Sequence, residues 1–302
     1  MYCCPPPSHR EGDALSDHDN SQDRNPTPDR AEDNAFFPSP YSLSQYTSDK
    51  TDFDGLATHD TYSGGTWKIL TIATEERYML MKNGKFFSTG NHPVETLLPL
   101  HHMVEAGYGI DVATISGGPG KFEWWAFPKE DDAIAATWER TEHEFKSPKK
   151  LADVIAEGLD NYAAIFIPGG HGAMNALPFD QDVRDALDHF IDNDKLIITL
   201  CHGPAALLAA SVGRDTNPFA GYKITAFPDS LDFGANLEIG YLPGEMPWKL
   251  GEALKKDGIE IINADMSGAT TRDRNLLTGD SPMAANQLGK DSVTALLEKF
   301  GN

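Results

Sequence analysis

A cysteine at the end of an apolar segment is the residue with the clearest capacity for covalent chemistry. Residues 196–200 are apolar and rich in β-branched side chains, which predicts a buried parallel strand that ends at Cys201. Gly203-Pro204 and the alanines after it predict a turn into a helix. Because the N-terminus of a helix stabilises negative charge, we expect Cys201 to be a thiolate nucleophile. The alternative is a structural cysteine, since free cysteines are among the most buried residue types.

Activation of this cysteine would need a base and a group that orients the base. His202 follows Cys201 directly, and its imidazole can accept or donate a proton near neutral pH. A carboxylate would orient the imidazole, and both Asp229 and Asp232 follow a predicted strand over residues 222–227. Spacing alone does not distinguish these two acids, and either would also fit a solvated loop.

A glycine-rich turn and a glutamate complete the candidate site. Gly169, Gly170 and His171 follow another predicted strand, and consecutive glycines let backbone N–H groups approach a reacting atom. We therefore expect this turn to bind the substrate and its oxyanion. Glu95 lies in the first turn of a predicted helix, where it would either complement the helix dipole or point into the pocket. In the pocket, desolvation would raise the pKa of Glu95 and keep it protonated, so that it could donate a proton to a developing oxyanion.

The ten histidines form no recognisable metal-binding motif. His101, His102 and Glu105 lie on one predicted helix, and His143 lies farther along the chain, but none has the spacing of a known zinc motif. We expect no metal site and no cofactor.

Strand and helix patterns alternate along the chain, which predicts an α/β fold with a doubly wound parallel sheet. The predicted strands are residues 68–74, 110–116, 162–168, 196–200, 222–227, 259–263 and 275–278. The predicted helices are residues 94–106, 183–192, 205–210, 248–257 and 282–300. Ligands bind at the carboxyl ends of the strands in such sheets, where Cys201 lies. Residues 117–152 are rich in aromatic and charged side chains, and we expect them to form a cap rather than another strand–helix unit.

Composition and charge restrict the class of protein. A chain of 302 residues can bury a full core, and its net charge of −21 argues against a stable nucleic-acid partner. Residues 1–33 are rich in Pro, Asp and Ser, which predicts a disordered acidic tail before a folded domain over residues 34–302. Three cysteines cannot form a disulfide framework, and neither a signal peptide nor a membrane-spanning run is found. We therefore expect a cytoplasmic protein without a membrane partner.

Seven stretches of the chain match one known family closely. They are residues 31–38, 41–48, 87–93, 163–166, 201–206, 226–229 and 277–282. Through them the chain resembles the ThiJ/PfpI superfamily and, within it, the HchA family, over about residues 31–300. The resemblance implies a flavodoxin-like core, a homodimer, and a small second lobe from about residues 34–66 and 117–152.

The resemblance also implies roles for individual residues. Cys201 would be the nucleophile with His202 beside it, and Glu95 falls on the pocket glutamate of the family. The third member of the catalytic triad falls on Asp232, not on Asp229.

The metal site of the family does not carry over to this chain. Its three ligands, two histidines and a glutamate, fall on Val104, Gly109 and Thr141, and neither the valine nor the glycine has a side chain that binds metal. We expect the site to be lost, unless His102, Glu105 or His143 forms a substitute.

The activity implied by the resemblance is conversion of methylglyoxal, a small 2-oxoaldehyde, to D-lactate without glutathione through a hemithioacetal on Cys201. Deglycation of proteins or nucleotides would use the same nucleophile. The alternative from another class is a holding chaperone that binds unfolded proteins through an exposed apolar surface.

Overall fold

The body of the protein is a seven-stranded sheet between two layers of helices. The computed structural model describes residues 21–57, 62–63 and 65–301. Within these residues the strands are β1 (Thr27–Pro28), β2 (Ala35–Phe37), β3 (Lys68–Ile72), β4 (Tyr78–Leu80), β5 (Phe86–Ser88), β6 (Gly109–Thr114), β7 (Lys149–Lys150), β8 (Tyr162–Ile167), β9 (Leu196–Leu200), β10 (Lys223–Ile224), β11 (Glu260–Ile261), β12 (Thr270–Asp273) and β13 (Leu276–Gly279). The α-helices are α1 (Pro40–Tyr46), α2 (Pro93–Glu105), α3 (Asp132–Lys146), α4 (Leu151–Glu157), α5 (Gln181–Asp192), α6 (Asn236–Glu238), α7 (Leu250–Lys256) and α8 (Ala285–Phe300).

The main sheet has the strand order β12-β13-β9-β8-β3-β6-β7. Neighbouring strands are parallel, except that β12 runs antiparallel to β13. Helices α2, α3 and α8 pack together on one face, and α4, α5 and a 3-10 helix (Gly203–Ser211) pack together on the other. Strands β8 and β9 are buried along their whole length, which is why their sequences are continuous apolar runs. This architecture confirms the predicted doubly wound α/β fold.

Helix α5 shows why the predicted helices form where they do. Its buried residues are Val183, Ala186, Leu187 and Phe190, whose spacing puts them on one face of a helix. The carboxylate of Asp180 accepts hydrogen bonds from the first backbone N–H groups and so defines the start of the helix.

Two smaller sheets lie outside the main one. Strands β1, β2, β5 and β4 form a four-stranded sheet, and β10 and β11 form a parallel pair. The strand predicted over residues 222–227 is thus shorter than expected, and it belongs to the pair. It remains tied to the main sheet because the Thr225 N–H donates to Oγ1 of Thr278 (2.9 Å).

The segment over residues 21–33 packs on the body, which differs from the disordered tail predicted through residue 33. Strand β1 pairs with β2, and Asp29 is buried. Its carboxylate accepts hydrogen bonds from Oγ of Ser88 (2.7 Å) and from Arg77 (3.4 Å). An acidic segment is predicted to be disordered when its carboxylates have no partners in the folded protein. Asp29 does have partners, Ser88 and Arg77, and the sequence does not show these contacts. Residues 1–20 of the predicted tail lie outside the described residues.

The segment over residues 117–152 is not a separate cap in this structure. Its helix α3 packs on α2, and the strand β7 after it pairs in parallel with β6 at the edge of the main sheet. The segment therefore does supply a strand–helix unit. Helix α3 is charged on its exposed face, while Ile134, Thr141 and Phe145 are buried at helical spacing, and its charged composition obscured that pattern.

None of the helices in the described part of the chain is long and apolar enough to cross a bilayer.

Candidate active site

Cys201 lies on a strained turn between β9 and the 3-10 helix Gly203–Ser211. Its backbone φ is +57°, in the left-handed region that residues other than glycine rarely adopt. Two hydrogen bonds hold the turn, because the Cys201 N–H donates to Gly279 O (2.9 Å) and the Cys201 carbonyl accepts from the Phe227 N–H (2.9 Å). The structure thus contains a sharp strand-to-helix turn that directs the side chain out of the sheet edge.

His202 connects Cys201 to Asp232. Its Nδ1 is 3.2 Å from the cysteine Sγ, and its Nε2 is 2.7 Å from Oδ2 of Asp232. Asp232 lies in a π-helical turn (Leu231–Ala235), a rare conformation that is frequent at functional sites. The three side chains therefore form a continuous hydrogen-bonded chain from sulfur to carboxylate.

Asp229, the other acid considered from the sequence, makes different contacts. Its two carboxylate oxygens accept the backbone N–H groups of Gly251 and Glu252 in the first turn of α7. It thus stabilises a helix start, and the structure places Asp232 alone of the two aspartates against His202.

A second histidine shares the same carboxylate. Nε2 of His171 is 3.0 Å from Oδ1 of Asp232, and the side-chain amide of Asn236 donates to that oxygen (2.8 Å). The rings of His171 and His202 lie 3.8 Å apart, centroid to centroid. The sequence assigned His171 to substrate binding, and it did not predict this contact with Asp232.

The charges of these groups follow from burial and from each other. Burial alone would raise the pKa of the Asp232 carboxyl, but the two histidines hold it well below its ordinary value. Burial and the neighbouring His171 lower the pKa of His202 to about 4. Although burial opposes it, the Asp232 carboxylate raises the pKa of His171 above its ordinary value. Of the two histidines, His171 therefore holds a proton more readily, while His202 is neutral at neutral pH.

The neutral ring of His202 has one tautomer that satisfies both neighbours. Its Nε2–H donates to the Asp232 carboxylate, which leaves the Nδ1 lone pair facing the sulfur of Cys201. This nitrogen can accept the thiol proton.

Glu95 points into the site rather than to the surface. It is fully buried in the first turn of α2, and neither carboxyl oxygen has a hydrogen bond of good geometry. Burial raises the pKa of Glu95 well above its ordinary value, although the Cys201 thiol and the Gly170 N–H nearby favour the anion. Glu95 is therefore a protonated acid next to the sulfur at neutral pH.

The thiol of Cys201 differs from the expected resting thiolate. Burial raises the pKa of the Cys201 thiol well above its ordinary value, and a negative charge on Glu95 would raise it further. Desolvation of the buried sulfur therefore favours the thiol form, which His202 Nδ1 is placed to deprotonate.

The two glycines of the turn leave room for the neighbouring groups. A Cβ on Gly169 would lie 2.1 Å from Oε2 of Glu95 and 2.6 Å from Leu200 O. Gly170 has a φ of +100°, and a Cβ there would lie 2.3 Å from Gly90 O. Both glycines therefore allow neighbouring groups to lie close to the backbone of the turn. Oxyanion binding by Gly169 and Gly170 stays a prediction.

A cavity of about 160 Å³ brings these side chains together. Cys201, His202, His171 and Glu95 line it on one side, and Tyr241 is among the aromatic residues that close it. Its volume is below the roughly 300 Å³ at which pockets for drug-sized ligands begin, so it fits a ligand of a few heavy atoms. A second cavity of about 580 Å³ shares Tyr46, His92, Pro282 and Met283 with it and lies beside it.

Two residues of this cavity with shifted pKa values, Glu123 and His92, were not among the predicted site residues. Glu123 is fully buried, and burial raises the pKa of its carboxyl to about 7. His92 caps the start of α2, and burial lowers the pKa of its imidazole to about 3. The Gly90-Asn91-His92 match offered a signal for His92, whereas Glu123 lies in the aromatic-rich segment, where only packing shows that it is buried.

The positions where the family holds a metal do not fit one here. Val104 and Gly109 carry no donor atom, and the hydroxyl of Thr141 donates to the backbone of its own helix (2.8 Å). Two of the three substitutes considered from the sequence are engaged elsewhere, since His102 bonds to Asn286 (2.9 Å) and Glu105 pairs with Arg140 (3.0 Å). Over residues 21–57, 62–63 and 65–301, the group with metal-ligand spacing is the pair of histidines on Asp232, already described as hydrogen-bonded.

Comparisons with known proteins agree with this geometry. A model of the DJ-1/PfpI family matches residues 86–232. The protein/nucleic acid deglycase HchA of Staphylococcus aureus (strain Newman) is 55% identical over 291 residues, which cover 95% of this chain and 100% of that protein. The chain belongs to the DJ-1/PfpI family. The same identity places it in the HchA group of that family and confirms the resemblance given above.

Two solved structures show the same fold at lower identity. Rapid Encystment Protein 24 kDa of Francisella tularensis superposes with a TM-score of 0.65 at 20% identity, over 76% of this chain and 99% of that chain. Glyoxalase III of Candida albicans superposes with a TM-score of 0.60 at 23% identity, over 76% of this chain and 98% of that chain. These likenesses support the family fold and carry no statement about activity.

Proposed function

We propose that this protein is a cysteine-dependent enzyme that converts methylglyoxal to D-lactate without glutathione and removes early glycation adducts from proteins and nucleotides. The observation that carries the proposal is the chain from the Cys201 thiol through His202 to Asp232, with protonated Glu95 on the other side of the sulfur. The HchA relative is named a protein/nucleic acid deglycase, which supports the second activity.

The first step is addition of sulfur to the aldehyde carbon. His202 Nδ1 takes the thiol proton as the Cys201 sulfur attacks, and the imidazolium that forms is stabilised by the Asp232 carboxylate. Protonated Glu95 then donates its proton to the oxyanion, which gives a neutral hemithioacetal.

The second step is an internal exchange of oxidation state. Glu95, now a carboxylate, and His202 move the proton from the first carbon to the second through an enediol. The first carbon becomes a thioester and the second becomes an alcohol. Water then hydrolyses the thioester, which releases the hydroxy acid and the Cys201 thiol. No cofactor is needed, because one carbon is oxidised as its neighbour is reduced.

The two adjoining cavities provide space for a deglycase substrate. The cavity of about 160 Å³ that contains Cys201, called the inner cavity below, has room only for the carbon atoms of the glycation adduct. The adjoining cavity of about 580 Å³ is open beside it and would take the amino acid or nucleotide that carries the adduct.

The holding-chaperone alternative is not favoured by the comparisons or by the packing. The aromatic residues of the 117–152 segment contact each other, with Phe122 packed edge to face on Trp138 (5.2 Å) and on Phe145 (5.0 Å), centroid to centroid. Both phenylalanines are buried, so most of this aromatic surface belongs to the protein's own core.

Two further parts of the proposal rest on the family resemblance and on thiol chemistry. We propose a homodimer, which light scattering tests, and a reducing cytoplasmic setting in which Cys201 stays a free thiol.

The test supplies the purified protein with two substrates, without glutathione and with a chelator present. One is free methylglyoxal, and the other is a purified arginine adduct of methylglyoxal from which free aldehyde has been removed. We expect D-lactate from both. Lactate from free methylglyoxal alone would disprove the deglycase half, and no lactate from either would disprove the proposed function.

A further inference from the structure

The inner cavity contains a second buried carboxyl group that the mechanism above does not use. Glu123 is fully buried and lines the cavity together with Cys201 and Glu95. Its Oε1 accepts a hydrogen bond from Oγ1 of Thr89 (2.7 Å), whereas Oε2 has no hydrogen-bond partner.

The backbone around Glu123 is fixed on the segment that leads into α2. Its N–H donates to Asn91 O (3.0 Å), and the Asn91 N–H donates to Lys121 O (2.7 Å). The side chain of Asn91 in turn bonds to the backbone of Thr74 (3.0 and 2.9 Å). The free oxygen of Glu123 is therefore held in a fixed place relative to Glu95, which lies in the first turn of α2, three residues after His92.

A buried carboxyl oxygen without a partner destabilises a protein, so its retention on a cavity wall points to a ligand that supplies the partner. The backbone N–H of His171 is nearby and favours the anion of Glu123, but it makes no hydrogen bond of good geometry to Oε2. Since burial raises the pKa of Glu123 to about 7, the group can both donate and accept a proton near neutral pH.

We propose that Glu123 is a second acid–base catalyst, which carries a proton between the two substrate oxygens while Glu95 and His202 move the carbon-bound proton. This inference rests on the proposed function and gives a reason why its substrates carry oxygens on two adjacent carbons. Thr89 is the positioning residue, because its hydroxyl holds Oε1 and leaves Oε2 toward the substrate.

The proton balance closes over one turnover. When the proton leaves the first carbon of the hemithioacetal, the electron pair forms the carbon–carbon double bond and the second oxygen takes a proton from Glu123. The enediol then collapses: the second carbon takes up the proton held by Glu95 or His202, and the first hydroxyl returns its proton to Glu123. The first carbon ends at the oxidation state of a thioester, the second at that of an alcohol, and Glu123 is again protonated.

The test compares Glu123→Gln and Glu123→Ala with the wild-type protein. The amide of Glu123→Gln keeps the shape of the side chain but cannot exchange a proton with the substrate. We expect kcat for lactate formation from methylglyoxal to fall about 100-fold, with KM changed less than about threefold. Formate, which can occupy the space left in Glu123→Ala, is expected to raise the rate of that variant at least about tenfold.

Alkylation of Cys201 by iodoacetamide separates this role from a structural one, because it reports the thiol and its surroundings without any enediol. We expect neither variant to be alkylated more slowly than the wild-type protein, because a charge on Glu123 raises the pKa of the Cys201 thiol and its removal does not disfavour the thiolate. A wild-type kcat in Glu123→Gln, failure of formate to rescue Glu123→Ala, or slowed alkylation in either variant would overturn the role of Glu123. Absence of lactate from the wild-type protein would instead disprove the proposed function.

Discussion

At the scale of residues, the proposed chemistry depends on the Asp232 carboxylate and the two histidines hydrogen-bonded to it. Each carboxylate oxygen of Asp232 is hydrogen-bonded to one imidazole, and its negative charge raises the pKa of His171 beside a neutral His202. A proton on His171 would favour any negative charge that develops on the sulfur or on a substrate oxygen. The fixed Nε2–H of His202 leaves its other nitrogen free for the thiol proton.

Replacing Asp232 by Asn tests this arrangement. The amide keeps the size of the side chain but no longer requires Nε2 of His202 to carry the proton, so the tautomer that accepts the thiol proton is lost. We expect kcat for lactate formation to fall by roughly 10³- to 10⁴-fold, as in other triads that lose this carboxylate. The matched control is Asp229→Asn, which removes one of two hydrogen bonds and a negative charge at the start of α7, costs about 1 kcal/mol of stability and leaves kcat unchanged. Equal losses of activity in the two variants would contradict the assignment of Asp232.

Gly169→Ala tests the close approach of Glu95 to the turn. An added Cβ would meet Oε2 of Glu95 and the Leu200 carbonyl, and the latter cannot move without moving β9. We expect the free energy of unfolding to fall by about 3 kcal/mol, together with a loss of turnover. Gly234→Ala is the control, because a Cβ there meets nothing within 4 Å. Urea unfolding of both variants measures this difference. Equal unfolding midpoints for Gly169→Ala and Gly234→Ala would contradict the close contact between Gly169 and Glu95.

The sequence predicted which residues form the site better than it predicted their contacts and protonation states. Cys201, His202 and Glu95 could be named because a strand–turn–helix pattern and the first turn of a helix are local features. The shared contact of His171 with Asp232 depends on two segments that are 61 residues apart, so no local pattern contains it. The resting protonation of Cys201 was missed because the extent of burial, which sets the pKa of the thiol, is a property of the packed molecule.

At the scale of elements, helix α2 connects the site to the core. Its first turn carries Glu95, and its last turn carries His102, whose Nε2 lies 2.9 Å from Oδ1 of Asn286 in α8. Helices α2 and α8 pack against each other along the face of the sheet. The position of Glu95 therefore depends on the packing of the whole helix.

His102→Gln tests the pH dependence of this packing. Burial lowers the pKa of His102 to about 4, whereas the unfolded chain takes up the proton near its ordinary value of about 6.5. The unfolded state thus binds more protons as the pH falls below about 6.5, and the folded protein loses stability down to about pH 4. Between pH 7 and pH 5 we expect the free energy of unfolding to fall about 2 kcal/mol less in His102→Gln than in the wild type. Parallel urea titrations at the two pH values check this, and identical falls would contradict the buried, neutral state of His102.

Element-scale prediction succeeded where periodicity was strong and failed where charge dominated the composition. The continuous apolar runs of β8 and β9 identified the centre of the sheet. The prediction of a cap was wrong for α3, because its many charged residues obscure a buried face that only the packing on α2 reveals.

At the scale of the molecule, the parallel sheet gathers distant parts of the chain at one edge. Glu95 follows the small sheet, Glu123 follows β6, His171 follows β8 and Cys201 follows β9, and the carboxyl ends of parallel strands meet there. The doubly wound fold was predictable from strand–helix alternation. The cavity was not, because its walls come from segments whose order in the sheet differs from their order in the sequence.

The central claim is that the sulfur of Cys201 forms the bond to substrate, and Cys201→Ala tests it most directly. The measurement is the rate of D-lactate formation from methylglyoxal by the purified wild-type and variant proteins, without glutathione and with a chelator. The account predicts that the variant keeps the wild-type thermal stability and loses turnover by at least about 10³-fold. Lactate formation by Cys201→Ala at the wild-type rate would contradict it.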